Sequence, residues 1–256
     1  VMDIWTNSFC EKYIRFKEAL ALPEPPLAAY YTDDACKEAI QPTGPGHVCI
    51  ISLLHRARKE GATVCFDSEH FGCGGGGYYM GFLETPRPNI EYFLSCGIPG
   101  EMEGERYIKT PELAREYFDR FKPPKAPARY CVFQQLDRLE KNRAPLVEIF
   151  FVPPDVLSGL VILTHFALES PGAVKTAFSS GCGSILTLPL KEAASASPGA
   201  VLGLFDVSAR PCVEPDVLTL AMPHNVFVKL VDNVDESFLT TPSWQKVRKR
   251  ITKKQG

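Results

Sequence analysis

The sequence has no long hydrophobic run. No apolar stretch approaches the ~20 residues that a helix needs to cross a bilayer. The first residues, Val1 to Trp5, do not form a basic region followed by an apolar one. We therefore expect no membrane partner and a cytoplasmic location.

The sequence also lacks an excess of charge of either sign. Its 28 basic and 30 acidic side chains leave a net charge of −2. Such a balance provides no broadly basic surface for the phosphates of nucleic acids. Nucleic acid is therefore not an expected partner, and the sequence leaves the oligomeric state open.

Closely spaced cysteine pairs are missing as well. The nine cysteines are an odd number and include no Cys-x-x-Cys pair. This pattern argues against a disulfide framework and lacks the ligand spacing of common zinc and ferredoxin sites. The number and spacing of the cysteines agree better with thiols that are kept reduced inside a cell.

The composition that is present is that of a globular protein. Hydrophobic residues make up 45% of the chain and charged residues 23%, which is enough for one large core or two modest ones. Helix-type and strand-type patterns alternate along the chain but connect irregularly. The sequence therefore predicts an α+β or α/β fold.

The tripeptide Gly-Cys-Gly occurs twice, at Gly72-Cys73-Gly74 and at Gly181-Cys182-Gly183. Each copy follows a strand candidate that opens with Pro-Leu, then a helix candidate and a short apolar stretch. After each copy comes a Thr-Pro pair, at Thr110 and Thr241, that is typical of a helix start. The matching order predicts an internal duplication.

The duplication divides the chain into two related halves packed as one compact unit. The N-terminal half, residues 1–125, contains a glycine-rich loop, and the C-terminal half, residues 126–256, carries an insertion. Pro123 to Pro127 is the linker candidate between them. We expect the two Gly-Cys-Gly turns to approach each other at the interface of the halves.

The first copy lies in a glycine run, since every residue from Gly72 to Gly77 except Cys73 is glycine. Ordering such a run costs roughly 0.5–1 kcal/mol per glycine relative to alanine, so the backbone is expected to approach something closely. Gly72, Gly74 and Gly77 also satisfy Gly-x-Gly-x-x-Gly, but the residues that follow make a poor helix and disfavour a dinucleotide fold. The exposed amides would form a concave anion site, or else a tight turn where the halves pack.

The cysteines of the two copies are the candidates for chemistry. Cys73, with His70 as a base, has the residue types of a nucleophilic site. Cys73, Cys182 and Cys212 are soft ligands that would suit zinc or an iron–sulfur cluster. Tight packing of small buried thiols is the alternative for all of them.

Several segments resemble a known family. They are Cys65 to Phe82 with its Gly-Cys-Gly-Gly centre, Gly104 to Glu112, Tyr130 to Glu140, and Phe150 to Pro154. Together they resemble the uncharacterised prokaryotic ArCR family, a domain of unknown function. The resemblance implies a cytoplasmic single-chain unit and carries over no catalytic residue.

The sequence thus predicts a protein that binds a small anionic ligand or a cofactor of unknown identity between its halves. Arg210 or Arg106 would supply positive charge. The predicted ligand-binding residues are Gly72, Cys73, Gly74, Gly75, Gly76, Gly77, Gly181, Cys182, Gly183 and Arg210. A thiol-dependent enzyme using Cys73, or a metal or iron–sulfur redox protein, is the alternative, so the enzyme question stays open.

Overall fold

The computed structural model describes residues 6–43 and 48–255; Val1 to Trp5 lie outside this part. The helices are α1 (Asn7–Leu20), α2 (Ile50–Glu60), α3 (Gly74–Tyr79), α4 (Ile90–Phe93), α5 (Pro111–Arg120), α6 (Pro154–Leu168), α7 (Leu188–Ala193), α8 (His224–Asp232) and α9 (Pro242–Gln255). A π-helical segment, Gly183–Thr187, leads into α7. The strands are β1 (Leu27–Thr32), β2 (Val64–Phe66), β3 (Tyr130–Gln135), β4 (Val147–Val152), β5 (Val174–Lys175), β6 (Ala200–Gly203) and β7 (Leu218–Pro223).

All seven strands form one sheet in the order β2-β3-β1-β4-β7-β6-β5. Neighbours are antiparallel except for the short parallel pair of β5 with β6. At the centre β1 pairs with β4, and Leu27 lies opposite Ile149. The α+β prediction is therefore confirmed, with strands from both ends of the chain in a single sheet.

Helical layers cover both faces of the sheet, which explains why every position of β4 is buried. On one face α1, α6, α8 and α9 pack around Phe16, Phe150 and Phe227. On the other face α2, α3 and the π-helical segment pack around Leu27 and Phe133. We call this second side the α2 face.

The internal duplication is not confirmed. Helices α2 and α6, which the sequence pattern treats as equivalent, pack against opposite faces of the sheet. Strand β3, which follows the predicted boundary after residue 125, lies between β2 and β1. The division into residues 1–125 and 126–256 stays a prediction, although the segments around Cys73 and Cys182 do share the α2 face.

Two helix starts that the sequence predicts are confirmed. The Thr110 hydroxyl accepts a hydrogen bond from the backbone amide of Leu113, and Pro111 opens α5. Thr241 does the same for the amide of Trp244 at the start of α9. Within the part of the chain that the structure describes, no helix is both long and apolar enough to cross a membrane.

An ion-pair network ties α2 to the loop that follows β6. The buried guanidinium of Arg58 contacts Glu24 at 2.5 Å and Glu214 at 3.1 Å, and Lys59 contacts the same two carboxylates. In that loop Arg210 donates to the backbone carbonyls of Glu214, Pro215 and Val217. Residues 204–217 are therefore held against α2 by charge as well as by packing.

We expect Glu214→Gln to weaken this attachment in a pH-dependent way. Partial burial by itself would raise the pKa of Glu214, but a backbone amide, Lys59 and Arg58 outweigh it and lower the pKa to about 2. Near neutral pH the variant should lose about 1 kcal/mol of unfolding free energy, because solvent screens a partly exposed carboxylate.

The sign of the pH effect follows from the lowered pKa. The contribution of Glu214 is complete above its unfolded pKa of about 4.5 and is lost as the pH falls toward about 2. Urea unfolding of both proteins between about pH 7 and about pH 3 measures it. Glu116→Gln, which affects an exposed pair with Arg120, is the control, and an undiminished difference at the acidic end would contradict the assignment.

Candidate functional site

A cavity of about 530 Å³ lies on the α2 face, and both Gly-Cys-Gly segments line it. The first contributes Cys73, Gly74 and Gly75, and the second contributes Gly181 and Cys182. These residues are distant in the sequence but meet at one site. A cavity of this volume has the size of small-molecule binding sites in proteins.

The first segment is the start of a helix rather than a loop. Cys73 is the N-cap of α3, with extended backbone angles, and its Sγ accepts a hydrogen bond from the amide of Gly76 at 3.3 Å. Gly74 to Gly77 then form the helix itself. Within the run only Gly72 has a left-handed backbone angle, with φ of +74°, so most of these glycines are not required by positive φ.

The glycines of α3 fall into two groups by their surroundings. A Cβ atom at Gly76 would lie 2.3 Å from Ile50 Cδ1, and one at Gly77 would lie 2.9 Å from Leu83 and Phe71. These two positions must be small so that α3 can pack against its neighbours.

Gly74 and Gly75 are different, because a Cβ atom there has room. It would be 3.6 Å from Arg87 Cβ at position 74 and 3.9 Å from Cys73 Sγ at position 75. Neither packing nor the backbone angles require glycine at these two positions, and a helix is stabilised by alanine in place of glycine. What the missing side chains provide is open space in the cavity.

The second segment also begins a helix, and that helix is widened. After Cys182 the residues Gly183–Thr187 are π-helical, with the amide of Leu188 bonded to the carbonyl of Gly183. Pro189 has no amide hydrogen for the carbonyl of Ile185, so a regular α-helical bond cannot form there. The sequence analysis missed this feature, for which Pro189 within an apolar run was the available signal.

The two segments are joined directly. The Thr187 hydroxyl donates to the carbonyl of Tyr79 at 2.6 Å, in a buried position at the end of α3. A Cβ atom at Gly183 would lie 3.0 Å from the Tyr79 ring. The absence of a side chain at Gly183 therefore lets the π-helical segment approach α3.

Most amides of the predicted anion site already have partners within the protein. The amide of Gly181 donates to Asp206 at 3.1 Å, and that of Gly183 donates to Ser180 Oγ at 3.1 Å. The amides of Gly76 and Gly77 are bonded to Cys73. Gly72, Gly76, Gly77 and Gly183 do not line the cavity, so a bound molecule would meet side chains more than backbone.

Three thiols line the cavity, those of Cys49, Cys73 and Cys182. Burial raises the pKa of Cys73, although the amide of Gly76 opposes the shift, and burial raises the pKa of Cys182 strongly. Beside Cys49, burial raises the pKa of Cys212 to about 11. The raised pKa values keep the thiols of Cys73, Cys182 and Cys212 protonated at neutral pH, and a protonated thiol is a weak nucleophile and a weak metal ligand.

The structure does not assemble the predicted catalytic or metal groups. His70 Nδ1 lies 3.0 Å from Asp67 Oδ1, and His70 does not line the cavity. Over residues 6–43 and 48–255 no group of three or more His, Cys, Asp or Glu side chains is arranged to hold a metal ion. Cys212, the third metal candidate, lies outside the cavity lining.

The positive charge at the cavity comes from an arginine that the sequence analysis missed. Arg210 is engaged by backbone carbonyls, as described above, and neither Arg210 nor Arg106 lines the cavity. Arg87 does, and its guanidinium lies 3.9 Å from the centroid of the Phe93 ring. No carboxylate in the described part of the chain forms an ion pair with it. The only sequence signal was its position between Pro86 and Pro88.

The rest of the lining is largely apolar and aromatic. Tyr78, Tyr79 and Phe118 form the inner wall, and the Tyr79 hydroxyl lies 3.5 Å from that of Tyr117. At the mouth three apolar side chains are exposed although they border the cavity; these are Phe178, Phe205 and Val207. The site combines one arginine with an aromatic interior.

Comparison with known proteins identifies the family. The chain matches the uncharacterised ArCR family over residues 15–233 and belongs to it, which confirms the resemblance seen in the sequence. No curated protein matches the chain. No solved structure matches it either.

We expect Cys73→Ser to retain the stability of the wild-type protein and Cys73→Ala to lose about 0.5–1 kcal/mol of unfolding free energy. Serine is a preferred N-cap and can accept the Gly76 amide in place of sulfur, whereas alanine leaves that amide without its partner. Chemical denaturation of the three proteins measures the difference. Equal stability of Cys73→Ala and Cys73→Ser would show that the sulfur does not cap α3.

A second pair of variants separates the two groups of glycines. Gly75→Ala should raise the unfolding free energy by up to about 1 kcal/mol, because it improves helix propensity in open space. Gly76→Ala should lower it by about 1–3 kcal/mol, because the new methyl group meets Ile50. If both variants change stability alike, the packing assigned to Gly76 is wrong.

Proposed function

We propose that this protein binds a small acidic ligand or cofactor with a largely apolar body in the cavity on the α2 face. The observation that carries the proposal is the space kept open at Gly74 and Gly75. Two glycines at the start of a helix lower its stability, and here they give no packing or backbone advantage in return. Access for another molecule accounts for them.

The chemistry of the lining supports an acidic ligand with an apolar body. Tyr78, Tyr79 and Phe118 offer ring faces and edges to an apolar or aromatic group. Arg87 offers a fork of N–H donors that suits a carboxylate, sulfonate or phosphate. The lining also contains two carboxylates, Asp206 and Glu105, and neither forms an ion pair with Arg87 in the described part of the chain. Asp206 accepts hydrogen bonds from Gly181 and Ser208. Glu105 accepts one from the Tyr107 hydroxyl at 2.9 Å.

A thiol-dependent enzyme receives less support. Nucleophilic catalysis needs a thiolate with a base at hydrogen-bonding distance. Burial keeps Cys73 protonated, and His70 is paired with Asp67 instead. We therefore assign the thiols of Cys73 and Cys182 to the wall of a binding site. Eight free thiols agree with a reducing, cytoplasmic setting for this function; they are those of Cys36, Cys49, Cys65, Cys73, Cys96, Cys131, Cys182 and Cys212.

Two related fluorescent probes test the proposal. 1-Anilinonaphthalene-8-sulfonate has an aromatic body and one sulfonate, and N-phenyl-1-naphthylamine is the same body without the charge. We expect saturable binding of the sulfonate with one site per chain. Arg87→Gln should weaken the sulfonate about tenfold, the loss of a charge-assisted hydrogen bond, and leave the neutral probe unchanged.

Gly75→Val tests the position of the site. The valine side chain would project into the cavity and should weaken both probes at least tenfold, roughly the effect of one bulky clash. Gly172→Val is the matched control, since Gly172 also lies in open space but does not line the cavity. Unchanged binding of both probes to Gly75→Val would show that this cavity is not the binding site.

A further inference from the structure

The outer wall of the cavity is supplied by one continuous stretch, residues 84–109. It contributes Pro86, Arg87, Ile90, Phe93, Leu94, Glu105 and Tyr107 to the lining. Its only helix is the four-residue α4. We call this stretch the 84–109 segment.

The segment is held together by its own hydrogen bonds. The amide of Glu105 donates to the carbonyl of Phe93 at 2.7 Å, and that of Ile108 donates to Leu94 at 2.9 Å. Between them Ile98 and Met102 form an isolated antiparallel bridge. The segment is therefore a small folded unit and not a string of independent loops.

This unit is barely anchored in the protein interior. All of residues 84–109 are described, and none of their apolar side chains belongs to or packs against either hydrophobic core. Only Ser95 and Gly97 are buried within it. If the segment moved away from the rest of the protein, it would expose little apolar surface other than the cavity lining. Few buried apolar contacts are typical of units that open locally.

The attachments of the segment are polar and superficial. Arg115 of α5 contacts Glu91 at 3.3 Å and the Tyr92 hydroxyl at 3.3 Å. Across the mouth the Tyr107 hydroxyl, which donates to Glu105 at 2.9 Å, also lies near Ser208. Exposed contacts of this kind stabilise a structure only slightly.

Both ends of the segment are fixed, in contrast. Just before it, Gly81 has φ of +78°, and its carbonyl accepts the amide of Ala126 at 3.0 Å. A Cβ atom at Gly81 would lie 2.2 Å from the carbonyl oxygen of Pro124. Just after the segment, Thr110 caps α5. Motion is therefore confined to the unit between these two points.

We propose that the 84–109 segment is a lid, which opens about its fixed ends to admit the ligand and closes over it. This inference rests on the proposed function, because it adds the way in which that site is reached. Arg87 is carried by the lid, while Gly75 and Tyr79 belong to the body of the protein. An acidic ligand with an apolar body contacts both and favours the closed form.

Cysteine alkylation tests the lid without a known ligand. Cys96 lies exposed on the segment, Cys73 lies in the cavity, and Cys131 is fully buried in the sheet. Mass spectrometry measures the rate at which iodoacetamide alkylates each of them. The rate at Cys96 reports surface reactivity, the rate at Cys73 reports lid opening, and the rate at Cys131 reports global unfolding. In the wild-type protein we expect Cys73 to react more slowly than Cys96 and much faster than Cys131.

Loosening the attachments should speed the reaction of Cys73 alone. We expect Arg115→Ala to raise the Cys73 rate, relative to that of Cys96, by about three- to fivefold, the size of effect of a surface ion pair. Tyr107→Phe should act in the same direction by removing the contact with Ser208, and the double variant should exceed either. Arg120→Ala is the control, since Arg120 is on the same helix but pairs with Glu116 and not with the segment.

Two outcomes would overturn the lid. One is a Cys73 rate in the double variant no higher than in Arg120→Ala. The other is a wild-type Cys73 that reacts only as fast as Cys131, because access would then require global unfolding. These outcomes are separate from the binding test: bound anilinonaphthalene sulfonate with an unresponsive Cys73 refutes the lid alone, and a responsive Cys73 without probe binding refutes the ligand proposal alone.

Discussion

The buried hydrogen bond from the Thr187 hydroxyl to the carbonyl of Tyr79 holds the two Gly-Cys-Gly segments side by side, and the cavity depends on it. A Cβ atom at position 183 would meet Ser179 Oγ first and would lie 3.0 Å from the Tyr79 ring, so glycine leaves room here for the π-helical segment beside α3. The bond satisfies a carbonyl at the C-terminal end of α3 that would otherwise be buried without a partner. The bond therefore adds to the apolar packing of Tyr79, Cys182 and Ile185 in the core of the α2 face, and together they place Cys73 and Cys182 on one cavity.

The glycines of α3 have different roles, and the close packing of α3 against its neighbours explains the difference. Gly76 and Gly77 let α3 pack on Ile50 and Phe71, so their role is structural. Gly74 and Gly75 share the helix but face the open cavity. The helical period thus divides the glycine run into two sides. On the side toward the core, the small residues let helices touch. On the other side they leave the cavity open, which is the space that the proposed ligand would use.

The sequence predicted the features that are local or tied to composition. The α+β class, the helix starts at Thr110 and Thr241, and the family were all within reach, because capping and periodicity act over a few residues. The arginine that lines the cavity was not within reach of the sequence. Arg210 comes after Cys182 in the sequence, but its guanidinium donates its hydrogen bonds to backbone carbonyls. The position of Arg87 depends instead on the fold of residues 84–109. The equivalence of α2 and α6 was likewise not confirmed: the two helices pack on opposite faces of the sheet, and a linear pattern does not specify the face on which a helix packs.

The electrostatics of the site depend on its protonated thiols, which carry no charge, and on a single accessible arginine. Desolvation keeps Cys73 and Cys182 neutral, and Asp206 accepts hydrogen bonds from the Gly181 amide and the Ser208 hydroxyl. Glu105 of the lining accepts one from the Tyr107 hydroxyl. Among the residues that the structure describes, Arg87 is the one cationic side chain of this lining, so it is the group that an anion would meet. In the largely apolar cavity a charged ligand group is costly to bury, so the acidic end should stay near Arg87 while the apolar body fills the space beside Gly75. Arg87 belongs to the 84–109 segment and Gly75 to the body. In the proposed function, a ligand in this orientation would contact both, so its binding and the proposed closure would stabilise each other.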